Sequence, residues 1–268
     1  DIQPGHSKWD LAPLTLPALK ANLNSWQAGL GESGWNSLYW NNHDQPRIVS
    51  RWGNDAQHRV ASAKAFGTVL HLMRGTPYIY QGEEIGMTNA KFTSLSQYRD
   101  LESLNWAAVA ALEGRSLDSV LHSISVKGRD NARTPMQWDA TASAGFTSGM
   151  PWIAVNPNAS EINAAAALAD PNSVFHHYRA LVALRHAMPV VVHGSYRPLL
   201  ESDEHVFAYI RELGNDRLLV IANLSDATIE RPLDDDLRAF AERAPLIGGG
   251  VVWGANSISM EPWAAAAF

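Results

Sequence analysis

GWNSLYWNNHDQPR, residues 34–47, is the segment around which the rest of the chain is arranged. Its first half is apolar and aromatic over a length that fits one buried strand, and Pro46 prevents the strand from continuing. The polar residues between them therefore lie at the C-terminal end of a strand, where catalytic side chains collect in barrels of parallel strands. His43, Asp44 and Arg47 would place a hydrogen-bond donor, a carboxylate and a cation at one rim. Such a rim suits a ligand rich in hydroxyl groups, although polar strand ends before proline also occur in purely structural turns.

The segments on either side of this strand alternate between helix and strand. Residues 16–30 predict a helix that begins at Leu16-Pro17 and has apolar residues close to a 3.6-residue period. Residues 56–73 predict a second helix with one apolar stripe, which would face a sheet. A second buried strand is predicted at residues 77–81. A strand, a loop, a helix and another strand in this order form the repeating unit of a closed α/β barrel.

This alternation stops over residues 86–150, where helices are predicted at 101–112 and 117–125 within a long irregular segment. Insertions of this length are usually functional. A short alanine-rich helix at 164–169 is followed by a helix that we predict to start at Asp170-Pro171. Three histidines on the latter have no metal-ligand spacing and are assigned surface or packing roles. They are His176, His177 and His186.

From Pro189 onward the period of the apolar residues changes to two, which is typical of strands. The predicted strands are 206–210, 217–224, a segment that follows Gly248-Gly249-Gly250, and 257–260. The first two would form a hairpin around Gly214-Asn215-Asp216. We therefore expect two regions: an incomplete barrel portion over residues 1–188, and an antiparallel β domain over residues 189–268 that packs against it.

The composition bounds the function. With 268 residues, 46% of them hydrophobic, the chain can bury a sizeable core. A net charge of −6 and a pI near 5.9 argue against a nucleic-acid surface. No apolar run approaches the ~18 residues of a membrane span. The absence of cysteine excludes disulfides and thiolate metal sites and fits the cytoplasmic location that we predict, although bacterial extracellular enzymes also often lack cysteine. We expect no metal and no cofactor.

Three motifs carry a resemblance to a known family. They are NNHDQPR at residues 41–47, GTPYIYQGEEIGM at 75–87, and GRDNARTPMQWD at 128–139, the last continued by Gly145-Phe146 and Pro151-Trp152. In this order and spacing they resemble the segments after the seventh and eighth barrel strands of the α-amylase superfamily (glycoside hydrolase family 13), in its α-glucosidase and oligo-1,6-glucosidase subgroup. The resemblance implies an α/β fold: the C-terminal part of a TIM (β/α)8 barrel, with strands seven and eight and their helices, followed by a small antiparallel all-β domain.

The resemblance also implies roles for residues in these motifs. Asp44 would be the carboxylate that stabilises the transition state, and His43 would donate a hydrogen bond to a sugar hydroxyl. Arg129 resembles the arginine at the closed end of the family's sugar pocket, with Arg133 as a second candidate. The Glu83-Glu84 pair is expected to brace the exit of the eighth strand and not to catalyse.

Two further carboxylates, Asp100 and Glu102, lie in a YRDLE motif that resembles the loop meeting the leaving sugar in oligo-1,6-glucosidases. They are candidate contacts of the acceptor site, with a solvated helix start as the alternative. For Arg133, and less so for Arg129, the alternative is an internal ion pair with Asp130 or Asp139.

The number of strands limits what the chain does alone. Only two strong parallel strands precede the β domain, whereas an eight-stranded barrel needs ~200 residues or more of strand-helix repeats. The family motifs with the nucleophilic Asp and the acid/base Glu are not found in this sequence, and retaining glycosidases need both carboxyl groups, about 5 Å apart. We therefore expect the C-terminal portion of an α-glucosidase for isomaltose-type or maltose-type oligosaccharides. Its partners would be the oligosaccharide and an N-terminal barrel half, without which it is inactive.

Three other functions stay open at this point. A sucrose isomerase or a trehalose-forming enzyme shares the scaffold, but the aromatic-rich arginine motif of isomaltulose-forming relatives is not evident, which favours hydrolysis. A non-catalytic assembly protein, similar to the amino-acid transporter heavy chains, would carry a membrane helix and would usually lose residues such as His43, Asp44 and Arg129. The third is an inactive fragment that retains an ancestral half-site.

Overall fold

The computed structural model describes residues 7–31 and 33–268. Its helices are α1 (Leu16–Leu30), α2 (Ile48–Arg51), α3 (Arg59–His71), α4 (Leu101–Leu112), α5 (Leu117–Lys127), α6 (Asp130–Arg133), α7 (Ala164–Ala169), α8 (Val174–Ala187), α9 (Pro189–His193) and α10 (Asp235–Arg238). Helices α1, α4 and α7 have the predicted bounds, and α5 continues past its predicted end at residue 125. The apolar periodicity of the sequence was therefore sufficient for most of the helical part.

The predicted central strand is confirmed in place but not in length. Strand β1 (Ser37–Leu38) pairs in parallel with β2 (Thr76–Pro77), so the prediction of a strand over residues 77–81 is wrong. The pair forms a two-stranded sheet in which each strand has a single neighbour, and the ladder ends where the two segments diverge. The parallel direction, with α3 between the strands in sequence, agrees with the predicted barrel unit.

Helix α3 starts later than the predicted residue 56 because the Asn54 side chain holds the preceding residues in a turn. Its Oδ1 accepts hydrogen bonds from the main-chain N–H groups of Ala56 at 3.1 Å and His58 at 3.3 Å. From Ala65 to Met73 every side chain is buried, so the predicted single apolar stripe is too narrow. The helix packs against α8 and also against the C-terminal sheet, and it therefore joins the two parts of the chain.

Helix α8 does not begin at Asp170-Pro171, as predicted, but at Val174. The Oγ of Ser173 caps it by accepting from the N–H of His176 at 3.4 Å, whereas the Asp170 side chain accepts from the N–H of Asn172 within the preceding turn. The packing roles predicted for two of the histidines are confirmed. The rings of His176 and His177 are hydrogen bonded to Leu168 and Thr68, respectively.

The C-terminal region is an antiparallel sheet. Its strands are β3 (Ser195–Leu199), β4 (Val206–Leu213), β5 (Asp216–Asn223), β6 (Ile229–Pro232), β7 (Ile247–Trp253) and β8 (Ser257–Ala267). The order is β3-β4-β5-β8-β6, with β7 also paired to β8. The predicted hairpin is confirmed as β4–β5, whereas Gly248-Gly249-Gly250 lie inside β7 and not before it. Gly248 and Gly250 have φ values of 86° and 70°, which only glycine adopts easily.

The two faces of the central hairpin contribute to different apolar cores. Phe207 and Tyr209 on one face of β4 pack with the helices, and Ala208 and Ile210 on the other face pack with β6, β8 and Phe240. The predicted packing of this region against the barrel portion is therefore confirmed. Its boundary with the barrel portion, at residues 188 and 189, stays a prediction.

Two buried cations join the helices to the sheet, and we call this contact, defined by Lys20, Arg211 and the carbonyl oxygens they bind, the seam. Lys20 Nζ donates to the carbonyl oxygens of residues 200, 203 and 206 at 2.5 to 2.9 Å. The guanidinium of Arg211 donates to those of residues 72, 191, 194 and 195 at 2.7 to 2.9 Å. Burial lowers the pKa of Arg211 to about 10, which leaves it charged at neutral pH. Each cation thus satisfies several buried acceptors at once.

Among the described residues, none of the helices combines the length and hydropathy needed to cross a bilayer. The same residues contain no group of three or more His, Cys, Asp or Glu side chains placed to hold a metal ion.

Candidate active site

His43 and Asp44 lie in the turn that follows β1. The turn is held by Asn42, whose Oδ1 accepts from the main-chain N–H of Asp44 at 2.8 Å. Both side chains face solvent, with 70% of His43 and 45% of Asp44 exposed, and His43 Nε2 is 3.2 Å from Asp44 Oδ2. The imidazole and the carboxylate are therefore open to a ligand.

Two arginines that flank α6 converge on the same carboxylate. Asp44 Oδ1 is 2.9 Å from Arg133 Nη2 and 3.4 Å from Arg129 Nη1. Arg133 Nε also donates to the main-chain carbonyl of His43 at 2.9 Å. The 128–139 motif and the 41–47 motif are thus in contact through side chains that the sequence singled out. The alternative pairing of Arg133 with Asp130 or Asp139 is wrong.

Asp100 fixes the two arginines from the other side. Its Oδ1 is 2.7 Å from Arg129 Nη2 and 3.4 Å from Arg133 Nη1, and its Oδ2 caps α4 by accepting from the N–H and Oγ of Ser103. Only 2% of this side chain is exposed, so it is not the solvated helix start of the alternative prediction. Burial alone would raise the pKa of Asp100, but the hydrogen bonds from Arg129 and Ser103 outweigh it and lower the pKa. Asp100 therefore stays ionised and positions the arginines.

Glu102, one turn into α4, completes the group. Its Oε2 lies 3.2 Å from Arg129 Nε and also binds Lys8 Nζ. Lys8 was not anticipated, because a lone lysine in a polar segment carries no signal in the sequence. The hydrogen bond with Asp100, together with the nearby carboxylates of Glu102 and Asp44, raises the pKa of Arg129.

We call the six predicted site residues that the structure brings together the rim cluster. They are His43, Asp44, Asp100, Glu102, Arg129 and Arg133. The cluster combines three carboxylates with two guanidinium groups and an imidazole, which gives both donors and acceptors for hydroxyl groups. Because its buried carboxylate is held ionised by arginine, the cluster suits binding and charge stabilisation more than proton donation.

The prediction that Arg47 lies at the rim is wrong. Arg47 is 1% exposed and lies beneath the cluster, where its guanidinium donates to main-chain carbonyls of residues 81, 131 and 132 and stacks on the ring of Tyr80. The carbonyl oxygens of Asn131 and Ala132 are buried and need donors, and the planar fork of arginine reaches both of them and that of Gln81.

The buried Glu83 braces the base of the same turn. Its carboxylate accepts from Asn41 Nδ2 at 2.5 Å and from the Tyr178 hydroxyl at 2.9 Å, and Asn41 Oδ1 accepts from the N–H of Ile48. Burial raises the pKa of Glu83 to about 7 despite both hydrogen bonds, and burial also raises the pKa of Glu84. The bracing role predicted for this pair agrees with the contacts of Glu83 and stays a prediction for Glu84.

The sequence of this chain matches known proteins over most of its length. A profile of the alpha-amylase catalytic domain matches residues 2–194, and a profile of the alpha-amylase SusG C-terminal domain matches residues 206–266. The oligo-1,6-glucosidase of Bacillus cereus is 53% identical over 238 residues, which cover 87% of this chain and 43% of that protein. The oligo-1,6-glucosidase of Halalkalibacterium halodurans is 57% identical over 221 residues, which cover 82% of this chain and 39% of that protein.

The fold is similar to that of solved structures. The crystal structure of the Bacillus licheniformis trehalose-6-phosphate hydrolase matches with a TM-score of 0.92 at 42% identity, over 97% of this chain and 48% of the other. The chain thus spans 39 to 43% of the length of the curated relatives named above and about half of this solved structure.

Proposed function

Because the chain belongs to the alpha-amylase family, we propose that its rim cluster is the sugar-contacting part of a retaining α-glucosidase for isomaltose-type or maltose-type oligosaccharides. The observation that carries the proposal is the convergence of both arginines on the exposed carboxylate of Asp44. The identities of 53 and 57% to oligo-1,6-glucosidases support glucosyl oligosaccharides as the substrates.

The geometry supports a distinct role for each rim residue. The transition state of glycoside hydrolysis carries positive charge on the sugar ring, and the carboxylate of Asp44 would stabilise that charge while accepting from hydroxyl groups. The exposed ring of His43 would donate to a neighbouring hydroxyl. Arg129 and Arg133 hold Asp44 in place, so that little reorganisation is needed when the charge develops. Asp100 and Glu102 would keep Arg129 oriented at the edge that meets the leaving sugar.

We propose that the nucleophile and the proton donor come from an N-terminal segment of strands and helices that completes the barrel beside β1 and β2. The share of the relatives' length that the chain covers supports this partner. Large side chains at these two strands support it as well, because Trp35, Tyr39 and Tyr78 are each about half exposed. Apolar surface of this kind marks a contact face. We keep the predicted division into a barrel portion, 1–188, and a β domain, 189–268.

A chimaeric enzyme tests the proposal. The Bacillus cereus oligo-1,6-glucosidase, with its matching C-terminal segment replaced by this chain, is expected to release glucose from isomaltose. Asp44→Asn in the chimaera is expected to lower kcat by about 1,000-fold, since it removes charge stabilisation worth about 4 kcal/mol. The melting temperature should change little, because the carboxylate is exposed. The measurement is glucose release, with circular dichroism as the check of folding.

Asp139→Asn is the matched control, because Asp139 lies outside the rim cluster and its carboxylate accepts from the N–H and hydroxyl of the nearby Thr141. It should keep the kcat of the unchanged chimaera. A folded Asp44→Asn chimaera with unchanged kcat would refute the assignment. Conversion of sucrose to an isomer faster than isomaltose is cleaved would instead favour the isomerase alternative, and glucose release by the 268-residue chain alone would contradict the need for a partner.

A further inference from the structure

The buried side chain of Arg47 contacts helix α6, which carries Arg133 and directly follows Arg129. We propose that Arg47 is a positioning residue, which clamps helix α6 against the turn carrying Asp44 and so holds Arg129 and Arg133 at hydrogen-bonding distance. The clamp itself is a statement about the structure of this chain. Its effect on catalysis rests on the proposed function.

Arg47 binds both sides of the site. Its own N–H donates to Asn89 Oδ1 at 3.0 Å, and its Nη1 donates to the carbonyl of Gln81, just after β2, at 2.6 Å. Nε and Nη2 donate to the carbonyls of Asn131 and Ala132, each at 3.3 Å. One side chain therefore ties the turn after β1 to the exit of β2 and to α6.

Helix α6 depends on such ties for its position. It has four residues, and one turn of helix is too short to be stable by itself. Besides the guanidinium of Arg47, the Tyr80 hydroxyl donates to the carbonyl of Ala132 at 3.0 Å, and Asn131 Oδ1 accepts from the N–H of Ala90 at 3.1 Å. Arg129 directly precedes this helix and Arg133 ends it, so a shift of α6 moves both guanidinium groups.

These contacts form a closed series that leads from Asp44 through Arg47 and α6 back to Asp44. Asp44 lies three residues before Arg47 in the chain, Arg47 binds α6, and the arginines that flank α6 return to Asp44. A lysine at position 47 would supply a single ammonium group in place of the planar fork and could not reach the three carbonyls together. Arg211 provides a contrast, since it is equally buried and binds four carbonyls, but all of them lie at the seam.

Hydrogen exchange at the side-chain N–H groups of Arg129 and Arg133 measures the effect of the clamp without any substrate. Arg133 Nε donates to the carbonyl of His43, and Arg129 Nε donates to Asp100 Oδ1. In the 268-residue chain labelled with nitrogen-15 arginine, Arg47→Met is expected to accelerate hydrogen exchange at both Nε positions at least tenfold. Arg47→Lys is expected to do the same and serves as the milder variant if Arg47→Met does not fold. Arg211→Met is the control and should leave both exchange rates unchanged, measured well below its melting temperature.

The chimaeric enzyme supplies the second readout. Arg47→Lys is expected to lower kcat about 100-fold, as a displacement of about 1 Å does, with a smaller change in KM. Arg211→Met should leave kcat unchanged in the folded fraction.

Unchanged exchange in the Arg47 variants, or equal acceleration in Arg211→Met, overturns the proposal. If Asp44→Asn abolishes activity while Arg47→Lys keeps it, the clamp has no catalytic effect and the proposed function stands. If Asp44→Asn does not change kcat, the proposed function fails. The clamp is then tested by the hydrogen-exchange rates alone.

Discussion

At the rim cluster the cations face carboxylates in partial contact with solvent, whereas at the seam they face main-chain carbonyl oxygens away from solvent. Arg133 is 22% exposed and binds Asp44 and Asp100. Arg211 is completely buried and binds four main-chain carbonyl groups. Arginine thus has two roles in this chain. At the rim cluster it forms part of a ligand-facing surface, and at the seam it joins structural elements.

The energetic reason lies in the cost of leaving an acceptor without a donor. An exposed ion pair contributes about 0 to 1 kcal/mol, because water replaces either partner readily. A buried carbonyl that loses its donor costs about 1 to 3 kcal/mol. Arg211 binds three carbonyls in buried hydrogen bonds and Lys20 binds one, and both cations bind partly buried carbonyls in addition. We infer that the stability of the fold resides mainly at the seam and that the exposed members of the rim cluster, such as His43 and Asp44, can vary their charge without unfolding.

The largest effect on the free energy of unfolding is expected at the seam. Its absence would contradict the contrast between the seam and the rim cluster. Arg211→Met should lower the free energy of unfolding by about 3 to 5 kcal/mol, since a similar apolar volume remains but the carbonyls lose their donors. Denaturation of the 268-residue chain with urea measures it. The control is Arg197→Met, because Arg197 forms a bidentate pair with Asp236 at the surface, and it should cost less than about 1 kcal/mol. Equal losses in the two variants would contradict the assignment of stability to the seam.

An intermediate effect is expected at Glu83, which sharpens the contrast because this residue links the rim turn to α8. Its pKa is about 7 in the fold against an ordinary 4.5, so the folded state holds the proton to higher pH than the unfolded state does. Stability from this group is complete below about pH 4.5 and is lost as the pH rises through about 7. Glu83→Gln, which resembles the neutral acid, should therefore match the parent at pH 4.5 and exceed it by up to about 3 kcal/mol at pH 8.

Urea denaturation at both pH values measures the difference between parent and variant, so that titration of other groups cancels. Glu113→Gln is the control, because Glu113 is exposed and pairs with the exposed Arg115. A stability difference for Glu83→Gln that does not change between pH 4.5 and pH 8 would show that Glu83 is not a buried, titrating brace.

The smallest effect is expected at the rim itself. Arg133→Met should change the free energy of unfolding by less than about 1 kcal/mol, because Asp100 retains Arg129 and Ser103, and Asp44 is open to water. The same denaturation in low and high salt measures it, and the parent should lose most of that small difference in high salt. A loss comparable with that of Arg211→Met would mean that the rim cluster is structural, and the contrast would fail.

Sequence reasoning found the rim residues mainly through the resemblance of their motifs to those of a known family, and only His43 and Asp44 were also indicated by their place after a predicted strand. In the structure, Asp44 follows β1, Arg129 precedes α6, and Asp100 caps α4. Arg47 was placed wrongly at the rim because its partners are main-chain carbonyls up to 85 residues away, which no residue type announces. The same reason concealed Lys20 and Arg211.

Strand lengths were the other failure, and they depend on neighbours more than on propensity. Strands β1 and β2 are short because they pair only with each other within the described residues. Strand β7 contains Gly248-Gly249-Gly250, which disfavour a strand by themselves, and it forms because β8 supplies hydrogen bonds over its length. Tertiary context therefore shortened two strands that the sequence favours and formed one strand that the sequence disfavours.

The hairpin β4–β5 presents apolar side chains on both faces, to the helices and to the second core. A protease cut in the connection between α8 and β3 would consequently fail to release a folded fragment, because the C-terminal piece would expose one entire face of the hairpin to water and the helical piece would expose the apolar residues that pack on it. The C-terminal sheet is therefore expected to melt in a single step together with α3, and transplanting it to another enzyme would require the partner helix as well.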